Sequence, residues 1–273
     1  MKILAISDVP SKALWDYGTR EHLEGIDLIL SCGDLPQKYL EYLTNFTAAP
    51  ILYVHGNHDG SYRENEPGGC ICVDDSVYVW KGLRIMGLGG SIRYNNREDS
   101  FQYTEREMRR RVRKLWRKAH HVGGIDLLLT HSPAAGLNDS TDHAHKGFAC
   151  FNDLMDEYEP QWFVHGHVHL NYDAKLPRVC TRGKTTVINA TERYVFEIPD
   201  PDPVIQHHPI WKRWFDCKMK SCLAFLDAGQ LFYGLKWSLV WERTTCRKTG
   251  AECFAAGEKK TGKVTAPACR RLC

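Results

Sequence analysis

Gly56-Asn57-His58-Asp59 follows the apolar run Pro50-Ile51-Leu52-Tyr53-Val54, which reads as a buried strand. The chain turns at glycine and then presents an amide, an imidazole and a carboxylate in succession. Oxygen from Asn or Asp suits hard and borderline cations, while His binds metal or moves protons. Alone, such a tetrapeptide is better read as a plain turn in which Asn57 bonds its own backbone.

It is not alone. Lys2-Ile3-Leu4-Ala5-Ile6 runs into Ser7-Asp8, and Ile26-Asp27-Leu28-Ile29-Leu30 runs into Ser31-Cys32-Gly33-Asp34. Ile125-Asp126-Leu127-Leu128-Leu129 runs into Thr130-His131, and Trp162-Phe163-Val164 into His165-Gly166-His167-Val168-His169. One polar residue after a strand is ordinary; five strand ends bearing Asp, Asn and His are a pattern.

In order these residues spell D…GD…GNHD…H…GHxH, and from residue 1 to about 198 the chain closely resembles the calcineurin-like metallophosphoesterases. The resemblance implies an α/β fold: a two-sheet β-sandwich flanked by helices, four layers in the order α/β/β/α, with the site at the strand ends. It implies that Asp34 bridges two divalent ions. Asp8 and His169 would complete the first site, and Asn57, His131 and His167 the second. His58 would stabilise phosphoryl oxygens and protonate the leaving group, with Asp59 orienting its ring.

Such a ligand set matches the chemistry of a phosphoester. Its oxygens repel an anionic nucleophile and its alkoxide leaves poorly; two cations about 3.5–4 Å apart generate hydroxide and neutralise charge in line. The expected activity is metal-dependent hydrolysis of a small-molecule phosphoester, with a phosphodiester favoured. One or two ions per chain are expected, manganese foremost, with iron, zinc, cobalt or nickel as alternatives. Protein phosphatases of the superfamily carry Asp-Arg-Gly after Gly-Asp; here Gly33-Asp34 precedes Leu35-Pro36-Gln37, which disfavours that branch. A departure concerns the first motif, usually Asp-x-His and here Asp8-Val9-Pro10, so the first ion would lose one of its nitrogen donors. Two rivals are a nuclease and a non-catalytic scaffold with the same fold.

The chain has 273 residues, 43% hydrophobic and 25% charged, enough for a large core. Its net charge of +3 hides an asymmetry: residues 1–200 carry a net −4 and residues 201–273 a net +7. Met1-Lys2 leads straight into a strand with no apolar leader, and the longest apolar candidate, Leu223 to Trp241, is broken by Asp227, Gln230 and Lys236. The reading is therefore a cytoplasmic protein with no membrane span, its eleven cysteines reduced.

Strands alternate with helical stretches, the pattern of βαβ units. Helices are expected over Lys12–Leu23 and Pro36–Phe46, from Thr104 (with Glu107 completing a capping box) and over Phe151–Tyr158. In the third, Met108, Val112, Leu115 and Ala119 share one face, while Arg109, Arg110, Arg113, Lys114, Arg117 and Lys118 fill the other. A solvated face is preferred there to a nucleic-acid patch. Val77–Trp80 and Leu83–Leu88 form a hairpin across Lys81-Gly82. The run Gly87-Leu88-Gly89-Gly90-Ser91 is read equally as a close approach to ligand or a tight turn. The loop Ser132 to Gly147 holds Asp139, Asp142, His143 and His145, and either histidine could touch a phosphate. Thr185–Asn189 and Tyr194–Ile198 close a sheet.

Pro199-Asp200-Pro201-Asp202-Pro203 marks a boundary between residues 1–198 and a basic tail, 199–273, rich in Cys and Trp. Residues 246–273 are poor in large apolar groups and expected to be flexible. Cys217-x4-Cys222 could bind zinc, Leu231–Trp241 could be a strand pair or a helix, and the tail's role stays open.

Overall fold

A computed structural model describes residues 1–200, apart from positions 17, 96–99, 141 and 171–175, together with 241–245 and 252–256. The chain divides into two compact units, Met1–Cys217 and Lys218–Cys273. The first unit begins β1 (Lys2–Ser7), α1 (Lys12–Trp15), α2 (Thr19–Leu23), β2 (Leu28–Ser31), α3 (Gln37–Thr44), β3 (Ile51–Tyr53) and β4 (Ile71–Cys72). A hairpin, β5 (Ser76–Trp80) and β6 (Leu83–Leu88), leads to the short β7 (Ser91–Ile92) and β8 (Gln102–Tyr103). There follow α4 (Glu105–His121), β9 (Leu127–Thr130), α5 (Ala149–Tyr158), β10 (Trp162–His165), β11 (Val179–Arg182), β12 (Thr185–Asn189) and β13 (Glu192–Glu197).

Two sheets carry the unit, with strand orders β13-β1-β2-β3-β4 and β11-β12-β10-β9-β6-β5. β1, β2 and β3 run parallel, as do β6, β9, β10 and β12. Parallel neighbours finish at the same edge of their sheet. The polar residues after β1, β2 and β3 are thus brought together, as are those after β9 and β10.

Side-chain alternation along the strands builds the layers. Ile3 and Ala5 of β1 pack with Leu28 and Leu30, and against Leu127 and Leu129 of the other sheet. Leu4 and Ile6 turn outward onto Leu14, Tyr39 and Leu40 of the first helices. On the far side Met86, Leu128 and Phe163 meet Met108 and Leu115 of α4 and Phe151 and Leu154 of α5. The result is the expected four-layer α/β/β/α sandwich. Burial on both faces explains why Ile3-Leu4-Ala5-Ile6 is apolar throughout rather than alternating. Truncating one of these core leucines to Ala would cost about 2–5 kcal/mol.

Several local expectations hold. Thr104 caps α4, its hydroxyl accepting from the Glu107 amide at 3.2 Å while the Glu107 carboxylate accepts from the Thr104 amide at 2.8 Å. Lys81 and Gly82 both take positive φ, 46° and 88°, the twist a two-residue hairpin needs. Others need correction. The helix expected over Lys12–Leu23 is broken in two, because Gly18 adopts φ 67° as the cap of α2. β12 and β13 do not close one sheet: β12 pairs with β10, while β13 runs antiparallel to β1 in the other. The glycine run approaches the chain itself: a Cβ on Gly89 would press on the His55 carbonyl, and one on Gly90 on the Phe101 carbonyl and the Tyr103 ring.

In the second unit β14 (Trp241–Thr245) pairs antiparallel with β15 (Glu252–Ala256), Trp241 opposite Ala256. Five residues of the stretch expected to be flexible are therefore strand. Cys217-x4-Cys222, Leu231–Trp241 up to its final residue, and the rest of 246–273 lie outside the described residues.

Candidate metal centre

Each expected ligand sits just beyond a strand, and the backbone there is bent hard. Asp8, Asp34 and His167 all adopt positive φ, at 63°, 55° and 67°. Asp8 and His167 are each centred in a three-residue turn, with the Val9 amide donating to the Ser7 carbonyl at 2.6 Å and the Val168 amide to the Gly166 carbonyl at 2.8 Å. Left-handed conformations at non-glycine residues store strain and cluster where side chains must be aimed. The second turn also satisfies a geometric need: on an extended strand His167 and His169 would project to one side, and the turn separates their directions.

Glycine is required where these loops close on one another. A Cβ on Gly56 would overlap the Asp34 carboxylate, and one on Gly166 would overlap the Ser7 hydroxyl and crowd Asp8. The loops after β1, β2, β3 and β10 consequently share one cavity of about 220 Å3. Asp8, Asp34, Asn57, His58, His167 and His169 all line it. His131, fully buried, lies beneath them.

The donors fall into two groups. Ligand atoms of Asp34, His131 and His167 lie within 4.8 Å of one another, and His131 Nε2 is 3.0 Å from Asn57 Oδ1. Separately, His169 Nε2 is 4.0 Å from Asp8 Oδ1. Orientation is set from behind. His131 Nδ1 is 2.8 Å from the Cys32 carbonyl, and a proton on that nitrogen leaves Nε2 aimed at the cavity. His167 Nε2 is 2.8 Å from the Ala144 carbonyl, which leaves its Nδ1 clear of that bond. Asn57 donates through Nδ2 to the Tyr94 hydroxyl at 3.3 Å, turning Oδ1 inward.

Electrostatics mark a place for positive charge. Burial opposes charge on His131, but the carboxylates of Asp34 and Asp8 outweigh it and raise the imidazole to about 9. Burial likewise pushes Asp34 up, yet His131 and the His58 amide more than offset this and bring it down to about 2. His167 is held down to about 3 by burial and by His131, so it is a neutral donor. A proton on His131 is the kind of charge a cation displaces when it binds such a set. Anionic carboxylate, amide oxygen and neutral imidazole together suit a divalent ion.

His58 stands on the exposed rim. Its amide donates to Asp34 Oδ1 at 2.7 Å, fixing the bridging candidate, and the residue lines the cavity. The hydrogen bonds of Asp59 run to the ligand loops rather than to the His58 ring. Its buried Oδ2 accepts from the Gly56 amide at 2.7 Å and the Asp34 amide at 2.9 Å, tying two ligand loops together. That carboxyl is raised to about 6 by burial and by Asp34.

In the loop Ser132–Gly147, His145 lines the cavity, its ring centred 5.0 Å from that of His167 and tilted 41° to it, whereas His143 is exposed. Asp142 accepts from the Ala144 and His145 amides at 2.9 and 3.0 Å, and Asp139 from Gly136 and Gly147 at 3.0 and 3.1 Å. Both acids hold the loop. Tyr94 and the Ala144 carbonyl were not anticipated, and a lone Tyr or a backbone oxygen gives no sequence signal.

A four-layer sandwich with oxygen and imidazole donors gathered at the strand ends defines a metal-dependent hydrolase class. The chain belongs to the calcineurin-like phosphoesterase superfamily, whose domain model matches residues 1–192. That family binds divalent metals and hydrolyses phosphoesters. Solved structures share the fold: TT1561 of Thermus thermophilus is 17% identical with TM-score 0.51, covering 70% of this chain and 89% of its own. A second solved chain is 13% identical with TM-score 0.54, covering 71% and 93%. No curated protein matches the sequence.

Proposed function

We propose that residues 1–198 form a metal-dependent phosphodiesterase acting on a small molecule, with 199–273 as an appendage. The observation that carries this is the convergence of Asp8, Asp34, Asn57, His167 and His169 on one cavity, with His131 beneath and His58 on its rim. In this reading Asp34 bridges, Asp8 and His169 serve the first ion, and Asn57, His131 and His167 the second; manganese is the preferred metal. When bound, the ions would activate water and neutralise phosphoryl charge. The chain's own work is to fix the ligands from behind and to hold a proton on His58 for the departing oxygen.

No Lys or Arg is among the described side chains lining the cavity. A monoester dianion commonly calls for such a cation, whereas a diester carries one charge less. This supports the diester. Among the described residues no helix is long and apolar enough to cross a membrane, and Cys32, Cys70, Cys72, Cys150 and Cys180 are free thiols. The thiols support a reducing, cytoplasmic setting.

The test compares bis-p-nitrophenyl phosphate with p-nitrophenyl phosphate after chelation and reloading with manganese. Faster metal-dependent turnover of the diester is expected. A loaded protein that cleaves neither overturns the reading in favour of a scaffold.

A further inference from the structure

A second cavity, about 560 Å3, lies beyond the strip that bears Tyr94. Tyr94 lines the metal cavity, while its neighbours Arg93 and Asn95 line this one, as alternation in extended chain dictates. Among the described residues its walls carry five cations, Arg63, Arg93, Arg110, Arg111 and Lys114, against one carboxylate, Glu107.

Two of the cations are already balanced. Arg93 pairs with Glu107 at 3.0 Å. Arg111, buried, pairs with Asp74 at 2.6 Å and Asp75 at 2.8 Å and lies over the Tyr103 ring at 4.1 Å. Among the described residues Arg63, Arg110 and Lys114 have no carboxylate partner. Arg63 is nonetheless placed, its guanidinium 4.8 Å from the centre of the Phe101 ring, which itself stacks on His55. Arg110 and Lys114 stand four apart on α4, where like charges repel unless something opposes them.

We propose that this cavity is an oxyanion site that binds a phosphate or polyphosphate group. Guanidinium forks present paired N–H donors that match phosphate oxygens, and a concave wall of one sign concentrates anions as a flat face does not. Its volume falls within the range of small-molecule pockets. The group can belong to the substrate, as a second phosphate remote from the bond cleaved, or to a free anion. The inference stands whether or not the metal centre is a phosphodiesterase.

Isothermal titration with inorganic pyrophosphate tests it, on wild type, on chelator-treated wild type and on an R63Q/R110Q/K114Q variant. Binding should persist without metal, weaken at least about tenfold in the variant, and fall steeply with salt. The variant should hydrolyse bis-p-nitrophenyl phosphate within about twofold of wild type, showing an intact fold and metal centre. If the variant also loses kcat/KM for a diester bearing a second phosphate, the substrate supplies the group; if only pyrophosphate binding suffers, a free anion does. Pyrophosphate binding that vanishes on chelation, or that the variant retains in full, overturns the proposal. A phosphodiesterase failure would appear instead as absent turnover with cavity binding preserved.

Discussion

The backbone amide of His167 donates to both carboxylate oxygens of Asp8, at 3.1 and 3.0 Å, across 159 positions of sequence. Each residue sits in its own left-handed turn, and the turn at His167 holds the Asp8 carboxylate in place. Burial raises the Asp8 carboxyl above its ordinary value, a cost that the amide bonds offset and that a bound cation would offset further.

Removing a donor from the more compact group should be severe. His131→Ala and Asn57→Ala should each weaken metal binding by about 10–100-fold or more and abolish turnover. Metal analysis after dialysis, with activity alongside, checks this. Full activity in either variant would sink the second-site assignment.

His58 and Asp59 should fail differently. His58→Ala should keep its metal content but lose about 10²–10⁴ in kcat, most for substrates with poor leaving groups. Asp59→Ala strands two buried amides, costing about 1–3 kcal/mol for each and lowering metal affinity. Asp59→Asn keeps an acceptor and should retain most binding. If Asp59→Ala instead alters only the pH profile of kcat, Asp59 orients the imidazole after all.

With Pro10 where the family usually has His, the first ion of the proposed pair would have Asp8, Asp34 and His169 as protein ligands. Three protein ligands can hold an ion with open positions, but the loss of an imidazole should lower affinity, least for manganese. Purified protein should hold fewer than two ions per chain and gain activity with added manganese, while Pro10→His should raise occupancy. Two tightly bound ions in wild type, indifferent to manganese, would mean that another residue fills the gap.

Asp74 predicts an acid limit on stability. Burial pushes its carboxyl up, but bonds from His55, Arg111 and the Gly89 amide more than offset this, so it titrates below the ordinary 3.8. A folded-state value below the unfolded one contributes stability that is full above the unfolded value and is lost as pH falls through the folded one. Wild type should therefore lose stability below about pH 4, and Asp74→Asn, weaker at neutral pH, should lose less over that interval. Urea midpoints at several pH values decide it; parallel curves would exclude this network as a source.

The appendage proposal predicts that truncation after Pro199 leaves a cooperatively unfolding, metal-binding domain. Loss of the cooperative transition in a urea titration would show that later residues complete the core.

The strand ends were legible because they are local features, while the four-layer sandwich came with the family resemblance. Apolar runs ending in Asp, Asn or His mark strand ends, and glycine beside Asp34, Asn57 and His167 marks where backbones touch. What escaped depends on partners distant in sequence. Asp59 looked like a partner for His58 but bonds amides brought in by two loops. Arg111 sits in a run of basic residues, and only the folded position of Asp74 and Asp75 turns it inward. Gly18 breaks a helix whose apolar spacing alone looked continuous.

Asp8, Asp34 and Asn57 hang from one sheet, and His131, His167 and His169 from the other. Between the sheets lie contacts such as Ile3, Leu30, Leu127 and Val164, which carry no direction and resist sliding only through shape. At the ligand edge the His131 ring reaches the Cys32 carbonyl and the His167 amide reaches Asp8. The centre is thus a rivet through a two-leaf laminate, and any shear of one leaf over the other must first pull it out.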